Sequence, residues 1–139
     1  MGLNEKLIWT ESMKTASSLA DYSSKQYYGA KLSADRTVNL PTADTDVPVG
    51  LVLNNPANSK DALLLIVGRA PGVVGEAITA GQLVRIASGG KVMLFEPLTD
   101  TTCYCVGQCV EGAGDDGRVG VFNFNFATPV KGDLDVSGL

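Results

Sequence analysis

Histidine is absent from the 139 residues. Its absence removes the commonest general base and every Ser-His-Asp or Cys-His nucleophile arrangement. A Lys-assisted or carboxylate mechanism would have to draw on Ser17, Ser18, Ser23 and Ser24 with Lys14 or Lys25. Those residues fall in a stretch without the periodicity of a packed element, where no preorganised site can be held. No catalytic residues and no cofactor are therefore expected. Metal ligands are equally scarce. The cysteines Cys103, Cys105 and Cys109 are spaced C-x-C-x₃-C, with no C-x₂-C pair, one ligand short of a structural zinc site. On one strand all three fall on the same face beside apolar residues, so they are expected to be small buried hydrophobes. Positions i and i+2 of a strand also sit near the outer Cα limit for a disulfide.

Charge is thin, at 19 % of residues, below the usual quarter, which hints that part of the surface is covered by a partner. The net charge of −4 argues against nucleic acid, whose footprint needs clustered Lys and Arg. Residues 1–36 carry five basic and four acidic groups, and the remainder six basic and eleven acidic, so a near-neutral arm precedes an acidic body. Long hydrophobic runs are missing too. The longest is the six-residue 62–67, far short of the roughly 18 a membrane helix needs, so no membrane partner is expected. No apolar h-region opens the chain, and Lys6 breaks the myristoylation pattern after Met1-Gly2, which points to synthesis in a reducing cytoplasm. The acidic pairs Asp44/Asp46 and Asp115/Asp116 lack the spaced oxygen ligands of a calcium loop, and turn chemistry explains them.

What is present is short strands separated by turn signals. Period-two patterning and β-branched residues predict strands near 27–32, 36–40, 49–53, 62–67, 83–87, 91–95, 103–110 and 118–126. The run 62–67 is unbroken and apolar, as for a strand buried on both faces. Pro71-Gly72 reads as a turn, Ser88-Gly89-Gly90 as a hairpin turn, and 112–117 as a flexible, acidic hairpin tip. Along 118–126, Phe122, Phe124 and Phe126 point one way and Asn123 and Asn125 the other, so the Phe face is core or interface. The fold class expected is all-β, a small barrel or β-tulip-like sandwich with an extended N-terminal arm. Its divisions are an arm at 1–25, a β-barrel body at 26–128 and a polar tail at 129–139. The Ser/Thr-rich arm keeps neither period for long, with one or two helical turns at most over 11–19. Yet it holds Trp9, Met13, Leu19 and Tyr22. Burying each contributes about 1.5–3 kcal/mol, against roughly 1–2 kcal/mol per residue for ordering the backbone. Such an arm docks only if several anchors bury together or it adds a strand to a sheet edge.

Four segments also carry a resemblance. Pro48-Val49-Gly50-Leu51-Val52, Gly75-Glu76-Ala77-Ile78-Thr79-Ala80-Gly81-Gln82-Leu83-Val84, Val106-Gly107-Gln108-Cys109-Val110 and Gly117-Arg118-Val119-Gly120-Val121 follow one another as in tailed-phage capsid decoration (cement) proteins. The resemblance spans roughly 29–126. It departs from the family's pattern at Gln82, where an acidic residue is common, and in the long N-terminal segment. It implies a small β-barrel on the exterior of an icosahedral virion head, usually a homotrimer, clamping neighbouring subunits of the major capsid protein. The candidate capsid or subunit interface is then Trp9, Met13, Leu19, Tyr22, Tyr27, Tyr28, Phe122, Phe124 and Phe126. A head-fibre base, a cytoplasmic ligand-binding β-barrel and a hydrolase with a carboxylate or Lys mechanism are the alternatives.

Overall fold

The computed structural model describes residues 9–15 and 21–132. Those residues form ten strands and no helix, as the turn-punctuated, period-two sequence predicts. They are β1 (Trp9–Thr15), β2 (Gly29–Ala34), β3 (Thr37–Asn39), β4 (Pro48–Val52), β5 (Asp61–Val73), β6 (Leu83–Ile86), β7 (Val92–Leu94), β8 (Tyr104–Glu111), β9 (Val119–Asn125) and β10 (Val130–Lys131). All join one curled, all-β sheet in the order β1-β3-β2-β4-β5-β9-β8-β6-β7, with β10 on β8. Every pairing but β1–β3 is antiparallel.

The 13-residue β5 organises the molecule. Its first half pairs with β4 on one edge and β1 on the other. Because β1 also pairs with β3, the pairings β1-β3-β2-β4-β5 run round a circuit. Its second half pairs with β9, which begins the curl β9-β8-β6-β7. That curl is a half-barrel, and its last strand returns to the end of β5 at a bridge between Val74 and Val92.

A β-bulge divides the two halves. Opposite β1, Thr10 pairs with Leu65 and Trp9 with Val67, so Ile66 is an extra residue on β5. An extra residue reverses which alternate side chains face which way. The burial follows that reversal. Before the bulge, Leu65 belongs to the larger core while Ala62 and Leu64 belong to a second, smaller one; after it, Ala70 and Val74 face the larger core. The apolar run 62–67 is therefore walled on both faces, except that Leu63 is half-exposed.

The larger core gathers Leu51, Leu65, Val84, Ile86, Val92, Val106 and Phe122, Phe124 and Phe126, of β9 and the residue just past it. The smaller gathers Tyr22, Ala30, Val38, Val52, Ala62, Leu64 and Ile66.

Several sequence expectations are corrected here. Pro71-Gly72 is not a turn, because β5 runs through it to Val73. The N–H of Val73 points away from β9, to the carbonyl of Tyr27, whereas that of Val74 points to Arg118 on the β9 side. By alternation Pro71 nitrogen also points away from β9, where no ladder bond is lost. Gly72 sits so close to Phe122 and Val92 that a Cβ there would lie 3.0 Å from each. The tip at 112–117 is tied down rather than loose. Ala113 exchanges two backbone hydrogen bonds with Ile78, and Gly117 N–H donates to Val74. Finally, the expected helical turns at 11–19 are replaced over 9–15 by strand β1. A segment with no face of its own gains its hydrogen bonds from the edges of β3 and β5.

Candidate interaction surfaces

Of the nine candidate interface residues, Tyr22, Tyr27, Tyr28, Phe122, Phe124 and Phe126 do not gather at one surface. Leu19 lies outside the described residues. Trp9 and Met13 sit in β1, opposite Val67 and Ala62, so the backbone of residues 9–15 is a strand of the body's own sheet. Tyr22 is wholly buried in the smaller core, and its hydroxyl donates to the Gly29 carbonyl at 3.3 Å. Burial pushes its phenol well above the ordinary value. Its backbone N–H donates to Pro56 O.

Phe122, Phe124 and Phe126 are 0 %, 3 % and 4 % exposed. Their rings stack along the larger core at 5.4 and 5.2 Å between centroids. Tyr22 and the three phenylalanines are thus corrected from interface to core. The alternation of β9 read the face properly, but the curl of the sheet turned that face inward. Tyr27 and Tyr28 are half-buried and serve as a staple. Tyr27, at φ 70°, packs against the larger core and Tyr28 against the smaller, with Lys25 Nζ 5.5 Å from the Tyr28 ring centroid.

The cysteines are corrected in part. Cys103 and Cys109 are buried, while Cys105 is half-exposed. Val84 pairs with Gly107 and Arg85 with Cys105, so Val106 is an extra residue on β8. That bulge turns Cys105 to the outer side with Arg85 and leaves Val106 and Cys109 in the core. Burial raises the Cys109 thiol above its ordinary value. Among the described residues no group of three or more His, Cys, Asp or Glu is placed to hold a metal ion.

Two surface features emerge that the sequence reading passed over. The first is a charged hub at Arg85. Its side chain is 12 % exposed and lies 3.7 Å from Asp44 and 3.8 Å from Asp100. Nε also donates to the Leu94 carbonyl at 3.1 Å. Asp44 in turn accepts from Ser88 N–H at 2.7 Å, and Gly89 N–H donates to Pro41 O. The hub therefore pins the 41–47 loop of the first half onto the β6–β7 turn of the second. Beside it, Asp46 accepts from Thr42 and Ala43 N–H and pairs with Lys31 at 3.1 Å. Burial opposes ionisation of Asp46, but these donors together outweigh it and hold the carboxyl below its ordinary value. The only sequence signal for the hub was Arg85 itself, a cation in a strand whose neighbours Val84 and Ile86 are core.

The second feature is the outer face of β5 and β9. The directly opposed pairs Val73–Val119, Pro71–Val121 and Arg69–Asn123 line it. Val119 is 54 % exposed, and Arg69 Nε donates to Asn123 Oδ1 at 2.9 Å. The face is apolar at one end and amide-rich at the other.

Neither the protein-family models nor the curated proteins yield a match to this chain. Among solved structures, it is similar to the N-terminal base of head fibre gp8.5 of bacteriophage phi29, with a TM-score of 0.57. The similarity covers 91 % of this chain and 99 % of that one, at 13 % sequence identity. At that identity the shared property is the fold.

Proposed function

We propose that this chain is a structural protein of a bacteriophage virion, built to sit on the outside of the head and to act through contact alone. The observation that carries the reading is the fold likeness to a head-fibre base over nearly the whole of both chains. A fold by itself hosts many functions. Here the likeness joins a body in which Asp44, Asp46 and Asp100 are engaged structurally with Arg85, Lys31 and backbone N–H groups. The reading needs no catalytic residue and no cofactor.

Its partner is the major capsid protein, and its working form is a homotrimer placed where three capsid subunits meet. Closed symmetry would cover the apolar end of the β5/β9 face without open-ended growth. The likeness favours a fibre-base role over the decoration role that the sequence motifs imply, although both require the same docking to an expanded shell. Clamping of neighbouring capsid subunits would then stabilise the head by mass action and avidity.

The test is to mix the purified full-length chain with expanded empty heads of its own phage and image them by cryo-microscopy. Density of threefold shape on the outer surface is expected. Heads that stay bare at saturating protein, or copies found only at the tail, would overturn the reading.

A further inference from the structure

The two halves of the sheet are built to one plan. In the first, Gly29, Ala30 and Lys31 of β2 pair with Leu51, Gly50 and Pro48 of β4, and a bulge skips Val49. In the second, Leu83, Val84 and Arg85 of β6 pair with Gln108, Gly107 and Cys105 of β8, and a bulge skips Val106. Leu32 faces Val38 across one hairpin as Ile86 faces Val92 across the other. β1 lies antiparallel to β5 and parallel to β3; the second half of β5 lies antiparallel to β9 and meets β7 at the parallel Val74–Val92 bridge. The ion pairs match too. Asp46 accepts from Thr42 N–H and pairs with Lys31, while Asp100 accepts from Glu96 N–H and lies 3.8 Å from Arg85. The chain is therefore two five-stranded units in tandem, sharing β5.

Inside the chain the first unit seats on the second. Gly29 lies so near Ile86 that a Cβ would collide with it, and Ile86 is left 3 % exposed. Asp44 reaches Arg85 and the Ser88 N–H, and Pro41 C=O accepts from Gly89 N–H. Registers and loop lengths match Ile86 to Leu32, Gly29 to Leu83 and Asp44 to Leu98. Those three are exposed leucines, at 48 %, 38 % and 54 %. Each unit thus repeats one side of the internal junction in an apolar and uncovered form.

We propose that the junction recurs between chains: the Leu83/Leu98 end of one copy docks onto Leu32 and the 34–36 turn of the next. A second copy is the occupant because this chain carries both sides of the contact on backbones of matching shape. The charges agree with that choice. Within the chain Arg85 draws on two carboxylates, Asp100 and Asp44. Lys31 is met on its own copy by Asp46 at 3.1 Å and Thr42 Oγ1 at 2.9 Å. It needs no second carboxylate, and Leu98, in the place of Asp44, brings none. Leu83 carries the side chain that Gly29 lacks, so the contact between copies is wider and apolar. It is also head-to-tail, the kind that closes into a ring. The inference rests on the homotrimer reading for the number of copies and names the contact that joins them. Leu83 opposes Gln108, which opposes Asn123, so this contact adjoins the β5/β9 face.

Sedimentation of the full-length protein tests this. Leu32→Glu and Leu98→Glu change exposed side chains, so the urea midpoint should hold. Each should raise the concentration of half-assembly at least about tenfold, because the contact would bury an unpaired charge. A head-to-tail contact uses two different faces, so the variants should complement. Mixed in equal amounts, they should form a 1:1 pair where neither associates alone. Val119→Glu reports on the β5/β9 face separately. Assembly that survives both leucine changes but fails in Val119→Glu would overturn the proposal and leave the trimer standing on another contact. Variants that lose assembly yet do not complement would overturn it as well. An unaltered chain that stays monomeric at every concentration would overturn the trimer and this contact together.

Discussion

Replacing Phe122 by alanine separates a core stripe from an interface stripe, because the two roles lose different things. Phe122 is fully buried, opposes Cys109 across β8, and lies against Phe124 with 5.4 Å between ring centroids. Removing a buried phenylalanine costs about 3–5 kcal/mol, as transfer energy plus the cavity left behind. A domain of this size holds roughly 5–15 kcal/mol in all, so the loss is a large fraction of the total. At about 2–4 °C or somewhat more per kcal/mol, the melting temperature should fall on the order of 10–20 °C. Gly72 sharpens the test, since a Cβ there would lie 3.0–3.1 Å from ring atoms of Phe122. Gly72→Ala alone should therefore cost about 1–3 kcal/mol by overpacking. Part of that cost should vanish in a Phe122→Leu background, giving a coupling of about 0.5 kcal/mol or more in the double-mutant cycle. Urea unfolding followed by Trp9 fluorescence or circular dichroism, at a protein concentration low enough to suppress self-association, reads the unaltered chain and the four variants. A Phe122→Ala chain that keeps its unfolding midpoint but loses self-association would refute the reasoning and return the stripe to an interface.

Arg85→Ala leaves Asp44 and Asp100 without the cation they share. It should lower stability by about 1–3 kcal/mol and speed amide exchange at Ser88, whose N–H bonds Asp44; unchanged exchange there would show that the 41–47 loop docks without the hub. Asp46 is held below its ordinary pKa, so its stabilising share is complete above the usual carboxylate range and is lost as pH falls through the lowered folded value. Asp46→Asn should accordingly flatten the acid limb of the stability-versus-pH curve below about pH 4, and an unaltered limb would assign the acid loss to other carboxylates. Cys109 is buried with a raised thiol pKa, so in the native protein a thiol reagent should label Cys105 first and Cys109 only on unfolding. Peptide mass mapping checks the order, and early Cys109 labelling would mean that the larger core opens readily.

The strands were legible where both signals, alternation and a bounding turn, fell together, as at β4, β6 and β9. β5 was legible only to Val67. Gly68, Pro71 and Gly72 look like breakers locally, and only the neighbouring strands reveal that the proline nitrogen faces an edge and that Gly72 makes room for Phe122. β1 was illegible because WTESMKT has no face of its own; its place comes from two non-local edges. The three phenylalanines were legible as one face, yet periodicity cannot say whether a curled sheet closes over that face or presents it. Cys105 alone among the cysteines was misplaced, by a single extra residue, Val106, whose bulge turns it outward. The Arg85 hub depends on loops 41–47 and 96–102 meeting one strand, a meeting that no sequence window contains.

The alternation along β5 also governs how the molecule comes apart. Leu64 and Leu65 are adjacent in the chain but wall opposite cores, so peeling β5 away strips both at once. Neither half can melt while the other stays intact, because each would lose a side of its own barrel. Heat or denaturant should therefore meet one cooperative unit with no stable half-unfolded form. A pull on either end of the chain would be resisted by the same thirteen residues.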